Sequence, residues 1–148
     1  MFFKKDKVQA MEDGCIRAIS TIEDAVVDQV KEDEDYTDDE IVLIGYLMYI
    51  IAGLSNDVVS EEIMRRFCVA HTDGSKLSIN LMARKVLNEY SEAKAISDTM
   101  MENESTLDEI LEVFTDRICK KCGWEKTESN DEKITGALHR FYTKVQGL

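Results

Sequence analysis

The chain has 148 residues, of which 44% are hydrophobic, and its 30 acidic and 18 basic side chains give a formal charge of −12 at pH 7. A chain near 150 residues buries about 68–70% of the surface its unfolded form exposes, which argues against wholesale disorder and leads to the expectation of a single domain over 1–148. A surface this negative repels phosphate backbones and anionic lipid, which argues against a nucleic-acid binder or a peripheral membrane protein and leaves a basic surface on another protein as the natural complement.

Proline is absent and glycine is limited to seven residues, so long helices meet no obligatory breaker. Apolar residues at Val8, Met11, Cys15, Ile19, Ile22, Val26 and Val30 recur at steps of three or four. That stripe predicts a first helix over about 4–31. The polar run Glu32-Asp33-Glu34-Asp35 follows, and Thr37-Asp38-Asp39-Glu40 has the spacing of a capping box before an apolar run. The second helix, Ile41 to Leu54, is apolar on every face, which predicts a central element surrounded by the others. Its 14 residues fall short of the roughly 20 that span a bilayer core.

Ser55-Asn56-Asp57 caps a predicted third helix with the stripe Val59, Ile63, Phe67 and Ala70, ending at Asp73-Gly74. A fourth helix begins at Ser75 or Ser78 and carries Ile79, Met82, Val86, Tyr90, Ala93 and Met100. Ser91 and Ser97 predict a kink beyond Tyr90. Ser105 with Asp108, or Thr106 with Glu109, caps a fifth helix with Leu107, Leu111, Phe114, Ile118 and Cys122 inward and Gly123 as its stop. Ser129 with Glu132 opens the last, bearing Ile134, Leu138, Phe141 and Val145. About six helices without period-two alternation predict an all-α bundle or array around the apolar helix over 41–54.

The four cysteines, Cys15, Cys68, Cys119 and Cys122, do not form the regular framework of a small secreted domain. The N-terminus lacks the apolar core of a secretory signal. Both observations point to reduced thiols and a cytoplasmic location. Cys119-Lys120-Lys121-Cys122 is the most specific-looking motif, since two thiolates can serve zinc or form a redox disulfide. It supplies only half a zinc site and lies in the last turn of a helix, where the dipole opposes a thiolate. The expected arrangement is structural, with Cys122 buried, Cys119 half exposed and Trp124 packed beside the glycine stop.

His71 with Asp73 reads as a helix end, and His139 has no nucleophile beside it in sequence. No glycine-rich loop resembles a phosphate cradle. The run 32–40 places Asp33, Asp35 and Thr37 at the alternate positions of a calcium loop, but Asp38 replaces the required glycine and Ile44 the closing glutamate. Neither an enzyme nor a cofactor is indicated.

Charge distribution is more informative. Residues 1–70 hold 16 acids against 7 bases, and 71–148 hold 14 against 11. Between Ala95 and Asp116 there is no basic residue, while Asp108, Glu112 and Asp116 recur every four residues as like charges on one helical face. Each such pair costs a helix about 0.2–0.5 kcal/mol. The basic trio Arg117, Lys120 and Lys121 is accounted for by the helix dipole alone. The expectation is a small acidic interaction module, of inhibitor or immunity type, that masks a basic surface of a protein partner. Its contact residues would be Asp108, Glu109, Glu112 and Asp116, with Asp33, Glu34, Asp35, Asp38 and Asp39. The alternative is a metal-binding or redox-responsive regulator using Cys119 and Cys122.

Overall fold

A computed structural model describes residues 7–26, 38–51 and 75–146. They form five helices: α1 (Lys7–Val26), α2 (Asp38–Tyr49), α3 (Lys76–Glu102), α4 (Leu107–Cys122) and α5 (Glu128–Gln146). No strand occurs among the described residues, and the class is all-α. The helix expected over 55–70, and with it Cys68, His71 and Asp73, lies outside the described residues, as does the run Glu32 to Thr37.

The all-round apolar pattern of α2 has the consequence expected of it. Every residue from Ile41 to Ile51 is buried, the helix passing into a π turn at Ile50 and Ile51. It touches α1, α3 and α4, and the outer helices follow one another around it in the order α3, α4, α5, α1. The closest approach is to α3. A Cβ on Gly45 would stand 2.3 Å from Glu89 Cβ and 3.0 Å from the Val86 carbonyl oxygen, so only glycine fits. Aromatic rings then lock α2 to α3 and α4: Tyr46 meets Phe114 edge-on at 5.1 Å, and Tyr49 meets Tyr90 at 5.6 Å and Phe114 at 5.9 Å.

The outer helices bury the stripes their sequences present. In α1, Met11, Cys15, Ala18 and Ile22 are buried, with Ile19 packed at the edge. In α5 the inward residues are Ile134, Ala137, Leu138, Phe141 and Val145. The expected kink in α3 is absent. The helix runs unbroken from its Ser75 cap to Glu102, because Ser97 points into the core and continues the stripe of Met82, Val86 and Ala93. A second correction concerns the start of α5. Thr127, not Ser129, caps it, its hydroxyl accepting the Asn130 N–H at 3.0 Å.

Candidate docking surface

The acid-rich stretch from α3 into α4 folds as a tight corner whose hydrogen bonds are all local. At the end of α3 the Glu104 N–H donates to the Met101 carbonyl at 3.0 Å and the Ser105 N–H to the Met100 carbonyl at 3.0 Å. This is the Schellman arrangement, and it puts residue 104 in the left-handed region that favours glycine. Glu104 occupies it with φ 58. Two residues on, the Thr106 hydroxyl accepts the Glu109 N–H while the Glu109 carboxylate accepts the Thr106 N–H at 3.0 Å, a reciprocal capping box. The Thr106 N–H and then its hydroxyl hold the Glu109 carboxyl below its usual pKa.

The corner sorts the expected contact acids by their surroundings. Asp108 projects into solvent with 81% of its side chain exposed, facing only His139, whose Nε2 lies 3.6 Å away and is charged only when protonated. Glu112 is exposed, as are Glu102 and Glu104, and none of these three forms an ion pair among the described residues. Asp116 differs, being paired with Lys126 from the connection to α5. Glu109 is engaged as the cap. The stripe is therefore divided: its C-terminal end is neutralised by Lys126, whose charge is also felt by Glu112, and its N-terminal end joins Glu102 and Glu104 in a corner where none of these acids forms an ion pair with lysine or arginine among the described residues. Asp33, Glu34 and Asp35 lie outside the described residues, and Asp38 and Asp39 are described only as the backbone that opens α2.

The sequence reading missed a cross-helix cluster. Arg117 and Lys121 do more than answer the dipole of α4, for they reach across to α3. Lys121 Nζ donates to Glu89 at 2.6 Å and to Glu92 at 2.7 Å, and Arg117 donates to Glu92. The hydroxyl of buried Tyr46 donates to the same Glu92 carboxylate at 3.1 Å. Burial raises the Glu92 pKa, but hydrogen bonds from Lys121, Arg117 and Tyr46 outweigh it and hold the carboxyl below its usual range. The sequence signal was the pair Glu89 and Glu92 three apart on α3, facing Arg117 and Lys121 four apart on α4. Reading it required knowing that α3 and α4 pack together.

The cysteine pair is reversed from expectation. Cys119 is buried and Cys122 only half-buried. The inward arc of α4 is wide, running from Ile110 through Phe114 and Thr115 to Cys119, because the helix packs on α2 and on α5. The Thr115 hydroxyl, 2.8 Å from that of Thr135, marks the α5 side. Burial pushes the Cys119 thiol up in pKa, away from a reactive thiolate. Gly123 stops the helix at φ 68, and Trp124 packs against the core while its backbone N–H donates to the Cys119 carbonyl at 2.9 Å. No group of three or more metal-ligating side chains occurs among the described residues. No helix among them is long and apolar enough to cross a membrane.

Comparison with protein families, with curated proteins and with solved structures finds no match for this chain.

Proposed function

We propose that this protein is an acidic interaction module, not an enzyme, that masks a basic surface of a protein partner in the manner of a small inhibitor or immunity-type protein. One observation carries the reading. At the α3–α4 corner a glutamate fills the left-handed position where glycine would be favoured, adding Glu104 to Glu102, Asp108 and Glu112. A non-glycine residue in that conformation costs roughly 1–2 kcal/mol, whereas Asp108, in the first turn of α4, gains from the helix dipole what its repulsion with Glu112 loses. A corner selected for stability alone would carry glycine at 104.

In this reading the exposed carboxylates meet arginine or lysine side chains that otherwise contact phosphate or substrate, and the negative field steers the encounter. Inhibition is then steric and salt-sensitive. The partner is a protein; nucleic acid and membrane are disfavoured by the same charge. The test is affinity capture from native lysate at low salt with elution along a salt gradient. A basic protein retained by the wild type and lost from the Glu104→Lys/Asp108→Lys/Glu112→Lys variant supports the reading. Equal retention by that variant overturns the corner as the contact surface.

A further inference from the structure

Where α1 crosses α5, cations gather on a chain whose net charge is negative. A groove of about 160 Å³ opens between the two helices, with Ala18, Ala137 and Phe141 as its floor and Arg17, Arg140 and Lys144 around it. Three of the chain's 18 bases thus surround one small depression in a protein of net charge −12, and no carboxylate lines it. None of the three cations forms an ion pair among the described residues. Asp24 and Glu132 line a neighbouring, more open depression that shares Thr21 and Arg140.

The helix crossing explains why the floor is open and apolar. The Phe141 ring lies against α1 at Gly14, where a Cβ would stand 3.4 Å from it in ordinary contact. Small residues at Ala18 and Ala137 leave the adjoining space unfilled. On the rim, Arg140 folds back over its own helix, its Nη1 3.3 Å from where a Cβ on Gly136 would be.

We infer that this groove binds a small aryl carboxylate. A volume of this size suits a single ring, given that cavities of about 150 Å³ take up benzene. Phe141, in the lining, adds aromatic contact for such a body. Arginine supplies the planar fork that pairs with a carboxylate through two parallel hydrogen bonds, and Arg17 and Arg140 come from different helices, so a bound carboxylate bridges α1 and α5. Lys144 adds a third positive charge.

The test is titration of the full-length protein with benzoate, followed by two-dimensional amide NMR, with benzamide as the neutral analogue of the same shape. Saturable shifts at Ala18, Ala137 and Phe141 are expected for benzoate, with benzamide weaker by about tenfold or more. Arg17→Gln and Arg140→Gln, changes at exposed positions, each weaken benzoate by about tenfold, while the distal Lys120→Gln leaves it unchanged. Absence of saturable shifts up to about 20 mM benzoate, a concentration far above any specific affinity of interest, overturns the inference. So does equal affinity for benzamide, a comparison on wild-type protein that depends on no variant folding.

Discussion

Single residues fix how closely this fold can close. Gly45 sits where α2 meets α3 backbone to backbone, so Gly45→Ala forces the helices apart. Overpacking of this kind costs about 1–3 kcal/mol, more than alanine's helical advantage of up to about 1 kcal/mol returns. The expected result is a clear fall in the urea midpoint. Gly136→Ala is the contrast, because its Cβ meets only the movable tip of Arg140, and the midpoint should hold or rise slightly. Glu104→Gly tests the left-handed corner. Relief of backbone strain, less the greater entropy of unfolded glycine, predicts a gain of about 0.5–1 kcal/mol in the same measurement. A loss of stability would mean that Glu104 supports the fold and that the corner is not strained for binding. None of this is visible in sequence, where Gly45 and Gly136 look alike and residue 104 carries no mark of its φ.

At the scale of elements, local chemistry was legible and its neighbours were not. The reciprocal Thr106 and Glu109 cap, the Gly123 stop, the Ser75 start and the apolar stripes follow from spacings within one helix. The errors arose where another helix decides. Ser97 faces the core of an unbroken α3, and Cys119 falls on the buried arc of α4 while Cys122 packs half-buried at the core's edge. The largest omission, the cluster joining α3 to α4 through Glu92, has a testable consequence. A carboxyl whose folded pKa is lowered stabilises the fold above its unfolded value, near 4.3, and that contribution is lost as pH falls through the folded value. Glu92→Gln should therefore lower stability by about 1–2 kcal/mol near neutral pH, as the ionised acceptor of three donors is removed. The difference from wild type should shrink progressively below about pH 4. A difference that stays constant into acid would assign the effect to packing instead.

For the whole molecule, charge separates what the chain does to itself from what it offers to others. Lys94, Lys121, Arg117 and Lys126 answer Asp98, Glu89, Glu92 and Asp116, so much of the acid excess near the α3–α4 seam is internally matched. Among the described residues of that seam, the acids left without an ion pair to lysine or arginine include Glu102, Glu104, Asp108 and Glu112, which share one corner. Composition alone indicated an acidic surface, and the gap in basic residues from 95 to 116 indicated roughly where it lies. It did not show that Asp116 is paired or that Glu109 serves as a cap, since both depend on partners brought in by folding.

The most direct test measures the affinity of the wild type and of the Glu104→Lys/Asp108→Lys/Glu112→Lys variant for the captured basic partner at about 50 mM and about 500 mM salt, conditions between which exposed charges become strongly screened. The account predicts at least about a tenfold loss on raising the salt and a similar loss on reversing the three charges at low salt. Affinity that is unmoved by either change would contradict it.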